Sequence, residues 1–243
     1  MKSQKCYACE RTATTRDHIP PKCFFPEKKY LPSNSSDYRS NLITVPSCSE
    51  HNNFRSRDDE YAAAVIVMNS KSDLAFTIFK SKWVQTLLRR EAVLGKRIFS
   101  TARNARVISI NNGLLIPYDT LAITYEVERI ERVIESIARA LYYHDSGYQE
   151  KWVNSCIIKS LNFLKRDLNP PEDAEYFTRI NQYFIDPELG LTKKGSHPDV
   201  FYYQFFQSKE RNSIIRIVFY GYFTFLAFLQ EKEIAPSPII FAI

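Results

Sequence analysis

The chain has 243 residues, 44% of them hydrophobic and 14% aromatic, with six glycines, a composition that buries a core and excludes a largely disordered protein. A formal charge of +6 and an isoelectric point near 9.0 favour an anionic partner but do not exclude an ordinary enzyme. Met1 to Lys5 lacks the apolar stretch of a signal peptide, and the most hydrophobic run, Ile217 to Leu229, is shorter than the roughly twenty residues that span a bilayer. A soluble, cytoplasmic protein with no membrane partner is therefore expected, and its five cysteines are expected as thiols or metal ligands rather than disulfides.

Charge is concentrated at the start. Residues 1–57 hold ten Lys/Arg against five acids, so nearly all of the net charge lies in the first quarter of the chain. A basic face there would attract phosphates, through contacts that weaken as salt rises. The same segment holds Cys6, Cys9, Cys23 and Cys48 and is poor in large aliphatics. A piece so small and polar needs a staple to stay folded. Residues 26–41 have the Pro, Ser and Asn content of a loop.

From Asp58 the pattern changes. Asp58, Asp59 and Glu60 suit a helix N-terminus, and apolar residues follow from Tyr61 to Met68. Leu74 to Ile98 reads as one long helix, and residues 105–117 read as a β-hairpin around Asn111-Asn112-Gly113. Glu126 to Tyr143 is the clearest amphipathic helix, with Val127, Ile130, Val133, Ile134, Ile137 and Leu141 on one face. Further helices are predicted at 150–164 and 172–184. Val200–Phe206 and Ile214–Phe228 are predicted as buried strands, their aromatics read as core rather than as a base-stacking platform. The expected class is α+β: a zinc-stapled module over residues 1–61, then a mixed helix and sheet body over 62–243 with no chemical motif of its own.

The chemistry lies in the first module. Cys6-x2-Cys9 is followed some forty residues later by Cys48-x2-His51. Three thiolates and one imidazole complete a tetrahedral structural zinc site with no position left open for water. Cys23 and Cys156 have no partner at ligand spacing and read as small buried hydrophobes. His144 and His197 sit in loop-like contexts and read as structural.

Between the knuckles stand Asp17-His18-Ile19-Pro20-Pro21 and Asn41-Leu42-Ile43, and Asn52-Asn53 follow His51. The ordered pattern C-x2-C, D-H-I-x-P, N-L-I, C-x2-[CH]-N resembles the HNH (ββα-metal) endonuclease family from Cys6 to about Tyr61. His51 stands where zinc-bearing members commonly carry Cys. The resemblance implies two strands and a helix clasping a catalytic Mg²⁺ or Mn²⁺. In that arrangement His18 is the general base, Asp17 and Asn52 are the metal ligands, and Asn41 ties the loop that orients the His. Asn52 is taken before Asn53 because it adjoins the last zinc ligand. Lys22, Arg55 and Arg57 become candidates for phosphate contact. DNA is the implied substrate, and RNA is not excluded by the motif. Similar stand-alone proteins act in bacterial defence or mobile elements. A homodimer or an activating protein partner is compatible with the pattern. The competing expectation is a zinc-stabilised nucleic-acid-binding module without hydrolysis.

Overall fold

The computed structural model describes residues 4–53, 56–89, 93–111, 114–162, 171–207 and 212–230. The expected mixture of helix and sheet is observed, as three antiparallel sheets and seven α-helices among the described residues. The N-terminal segment opens with a tight hairpin closed by a bridge between Lys5 and Thr12. Strand β1 (Thr15–His18) then pairs antiparallel with β2 (Thr44–Ser47), so that Asp17 opposes Val45 and His18 opposes Thr44. Helix α1 (Ser49–Asn53) follows β2 directly. A four-residue, two-stranded ladder is marginal alone. This one is held because Val45, Ile19, Phe24 and Phe25 are buried in the same core as the helices behind it.

Helix α2 (Ser56–Asn69) is apolar on every side, with Tyr61 to Val67 all buried, as befits a helix at the centre of the molecule. The helix predicted over residues 74–98 is interrupted. It divides into α3 (Asp73–Ile78), a π-helical turn (Phe79–Trp83), α4 (Val84–Arg89) and α5 (Val93–Phe99). The π turn shifts the helical phase so that Ile78, Trp83 and Leu87 all reach the core, which a continuous 3.6-residue period does not allow. The predicted hairpin is longer than its apolar runs, as β3 (Arg103–Asn111) and β4 (Leu114–Ala122). Residues 112 and 113 at its tip lie outside the described residues.

Helix α6 (Val127–Asp145) follows the predicted pattern: Ile130, Val133, Ile134, Ile137, Ala138 and Leu141 are buried on one face. Each large aliphatic there contributes about 1.5–3 kcal/mol relative to exposure. The helix predicted at 150–164 is instead the edge strand β5 (Ser155–Ser160). Cys156-Ile157-Ile158 favours an extended chain, and its alternation fits: Ile158 is buried while Ile157 is exposed. Residues 163 and 164 of that prediction are outside the described set.

The main sheet has the order β5-β9-β8-β7-β6, completed by β6 (Lys194–His197), β7 (Phe201–Gln207), β8 (Ser213–Phe219) and β9 (Phe223–Gln230). The β8–β9 loop places Tyr220 at φ 52° and Gly221 at φ 65°. Glycine accepts this backbone freely. Tyr220 is held there by its buried hydroxyl, which donates to the Phe24 carbonyl at 2.6 Å. One sheet face meets α6 and the N-terminal segment, where Phe24 stacks on Phe219 with ring centroids 4.9 Å apart. The other face is covered by α7 (Pro171–Ile185), with Ile180 and Phe184 set against Ile214, Leu226 and Phe228. Among the described residues no helix is long and apolar enough to cross a membrane.

Candidate functional site

The two knuckles meet because each sits in a hydrogen-bonded turn anchored to the core. In the first hairpin the Cys6 N–H donates to Arg11 O at 2.9 Å, and the Tyr7 N–H donates to Pro46 O at 3.0 Å. The hydroxyls of Tyr7 and Ser136 lie 3.0 Å apart, and the Tyr143 hydroxyl donates to Lys5 O at 3.2 Å, fastening the turn to α6. Lys151 donates to Cys9 O at 2.9 Å and pairs with Glu10. The second knuckle is the β2–α1 junction, braced by the Arg11–Glu50 ion pair.

Cys6, Cys9, Cys48 and His51 thus form a cluster whose ligand atoms all lie within 4.8 Å of one another. Cys9 Sγ is 3.9 Å from Cys48 Sγ, and His51 Nδ1 is 3.1 Å from Cys48 Sγ and 3.8 Å from Cys6 Sγ. A tetrahedron with Zn–S near 2.3 Å and Zn–N near 2.0 Å has edges of about 3.8 and 3.5 Å, so these spacings suit a zinc-sized ion. All five cysteines are free thiols. The His51 N–H and imidazole hold the Cys48 thiol below its ordinary pKa. Burial raises that of Cys6, but the N–H groups of Ala8 and Cys48 outweigh it and leave it lowered. The group can therefore hold a metal ion, with every ligand supplied by protein.

Next to the cluster, α1 leans on β1: the Asn52 side-chain amide donates to Thr15 Oγ1 at 3.1 Å, and its N–H donates to Cys48 O at 3.0 Å. Strand alternation puts Thr15 and Asp17 on one face of β1 and Arg16 and His18 on the other. Asn52 thus reaches the Asp17 side. Asp17 is buried and His18 half-buried. Burial, then the charge of nearby Lys22, lowers the His18 pKa, which favours the neutral imidazole that can accept a proton. Asn41 is exposed at φ 52°, and its carbonyl accepts from the Ser196 hydroxyl; it forms no hydrogen bond with His18. Lys22 and Arg57 are exposed, and Arg55 lies outside the described residues.

One residue of this face was missed in the sequence. Arg16, two positions before His18 and therefore on its side of β1, donates to Thr44 Oγ1 at 2.8 Å, Thr44 O at 2.9 Å and the Tyr148 hydroxyl at 3.2 Å. Its guanidinium also lies 5.6 Å from the centre of the Tyr148 ring. The signal was period-two spacing from His18, but the partner that orients it is far away in sequence. Cys23 is partly buried, and burial pushes its thiol up to about 12, as it does for Cys156. His197 lies edge-on to Tyr38, its Nε2 2.8 Å from the Ser40 carbonyl, and His144 pairs with Asp145. Comparison with protein-family models, curated proteins and solved structures returned no match.

Proposed function

We propose that this protein is a metal-dependent endonuclease of the HNH type, hydrolysing phosphodiester bonds in DNA around a structural zinc ion. One observation carries this: the Cys3His cluster sits at the β2–α1 junction and brings α1 against the strand that bears Asp17 and His18. In this proposal β1, β2 and α1 are the strand–strand–helix core of the nuclease. His18, neutral and half-buried, accepts the proton of the attacking water. Asp17 and the side-chain oxygen of Asn52 are hard donors on one side of β1, which suits Mg²⁺ or Mn²⁺. When bound there, such an ion neutralises charge on the scissile phosphate and the departing oxygen. Arg16 supplies a fixed cation on the His18 face, and Lys22 and Arg57 add exposed positive charge for the backbone. The zinc, closed by four protein ligands, only holds the frame.

A second function is favoured by the alternation of β1, which sends Asp17 and His18 to opposite faces: a zinc-stabilised nucleic-acid-binding module that does no hydrolysis. Incubation of supercoiled plasmid with Mg²⁺ or Mn²⁺ separates the two, with His18→Ala and a single-stranded RNA run alongside. The nuclease should nick or linearise the plasmid, and His18→Ala should lose at least about 100-fold of that rate while still binding DNA. Equal cutting by both proteins removes His18 as the base. Salt-sensitive binding without cutting supports the module. Preferential degradation of the RNA moves the substrate to RNA. Because each HNH site cuts one strand, concerted double-strand breaks are expected only from a dimer or from paired action with a partner.

A further inference from the structure

The sheet face under α7 holds a second concentration of polar groups, distant in sequence from the zinc cluster. Arg216 in the middle of β8 is 6% exposed. Its guanidinium group donates to Asn181 Oδ1 at 2.6 Å, Gln204 Oε1 at 2.9 Å and the Tyr202 hydroxyl at 3.1 Å. All three partners are neutral, and among the described residues Arg216 forms no salt bridge. A buried guanidinium surrounded only by dipoles is costly until a counter-charge arrives. It is also tightly aimed. The Gln204 amide donates to the carbonyls of Phe184 and Leu191 at 2.7 and 2.8 Å, which turns its oxygen towards Arg216.

A second cation joins it. Lys193 Nζ lies 4.8 Å from the centre of the Tyr202 ring, and the Arg216 guanidinium lies 5.6 Å from the same ring. Both residues line an open cleft of about 490 Å³ between the sheet and the chain that leaves α7. This volume is in the range of small-molecule sites, roughly 300–1,000 Å³. Phe184, Ile185 and Leu191 give the cleft an apolar wall, and among the described residues Asp186 is the one acid on its lining. Asp186 Oδ1 is already engaged, accepting the Glu188 N–H at 2.9 Å. Among the described lining residues two cations stand against one carboxylate, a net positive balance.

We propose that this cleft binds a small molecule carrying an oxyanion, a phosphate monoester or carboxylate on an apolar body, with Arg216 as its buried anchor and Lys193 at its mouth. The oxyanion meets the remaining guanidinium N–H groups, since Arg favours planar oxyanions. The apolar body lies against Phe184 and Leu191. The site does not depend on the nuclease chemistry.

The test is calorimetric titration of the full chain with phenyl phosphate and benzoate, with inorganic phosphate as the arm that lacks an apolar body. Saturable binding of phenyl phosphate or benzoate is expected, tighter than that of inorganic phosphate, with a rise in melting temperature of about 2–5 °C at saturation. Arg216→Met, which keeps the volume, should weaken binding at least about 10-fold and remove that rise. Lys193→Met, at an exposed position, should fold normally and weaken binding about threefold or more. A combined Arg16→Ala, Lys22→Ala and Arg57→Ala variant, altered only in the N-terminal segment and the start of α2, should bind as the wild type does and so excludes those basic residues as the source. Absence of saturable binding by all three probes overturns the proposal. So does binding undiminished in Lys193→Met, whether or not Arg216→Met folds.

Discussion

The segment up to Asn53 and the five-stranded sheet share one core but are held by different forces. The sheet is a continuous aromatic and aliphatic layer in which every residue of β8 and β9 is buried. Its cohesion comes from area removed from water. The N-terminal segment contributes to that layer only from its inner side, through Tyr7, Ile19, Phe24, Phe25 and Val45. Its outer half has two four-residue strands, exposed charge and the Cys3His cluster. There a group able to hold a metal ion stands where so short a segment cannot build a core of its own. The contrast shows that one chain can carry a candidate metal-binding group at its edge while a conventional core supports it from behind.

The largest effect should come from the metal. With zinc in the Cys3His cluster, Cys48→Ser or prolonged chelation should release the ion, whose binding is worth on the order of 10 kcal/mol in small zinc modules. Metal analysis should show its loss, and proteolysis should cut the N-terminal segment first while the circular dichroism of the sheet persists. If the whole chain unfolds at once, the two regions are not separable and the comparison fails.

The next effect concerns the seam. Phe219 is fully buried, with Phe24 at 4.9 Å, Phe201 at 5.4 Å and Phe225 at 6.4 Å between ring centroids. Phe219→Ala should cost about 3–5 kcal/mol. Urea denaturation should show that loss in a single transition, because the ring belongs to both regions. A shift of the N-terminal transition alone would place the seam elsewhere.

The smallest effect is electrostatic. Burial pushes the Asp145 carboxyl upward, but hydrogen bonds from His144, Lys194 and Tyr203 outweigh it and hold the pKa below its ordinary value. Lys194 and Tyr203 each donate at 2.8 Å. A depressed folded-state pKa means that the stabilisation is present above the unfolded value of 3.8 and is lost as pH falls through the folded one. Asp145→Ala should therefore cost about 2 kcal/mol near neutral pH, and the gap to wild type should close below about pH 3.8. Melting curves from pH 3 to 8 measure it, and a gap independent of pH would assign the loss to packing alone.

The sequence by itself determined the parts whose logic is local. Cys6, Cys9, Cys48 and His51 were legible as one metal group because ligand spacing within each knuckle is short and chemically restrictive. Helix α6 was legible because one periodic face is buried along its whole length. The buried strand segments 200–206 and 214–228 were legible because β-branched and aromatic residues dominate them, but the turn at Tyr220-Gly221-Tyr222 that divides the second into β8 and β9 was not. Asp17, His18 and Asn52 could be singled out as residue types in order, but not as a geometry. Tertiary structure alone decided that Asn52 lies on the Asp17 side of β1 and that Tyr148 orients Arg16. It also decided that residues 155–160 are an edge strand, because β9 offers a row of backbone partners to the extended Cys156-Ile157-Ile158 segment. The same holds for Arg216. Its position in an apolar run is visible in the sequence, but its three neutral partners come from β7 and α7, brought together only when the sheet closes.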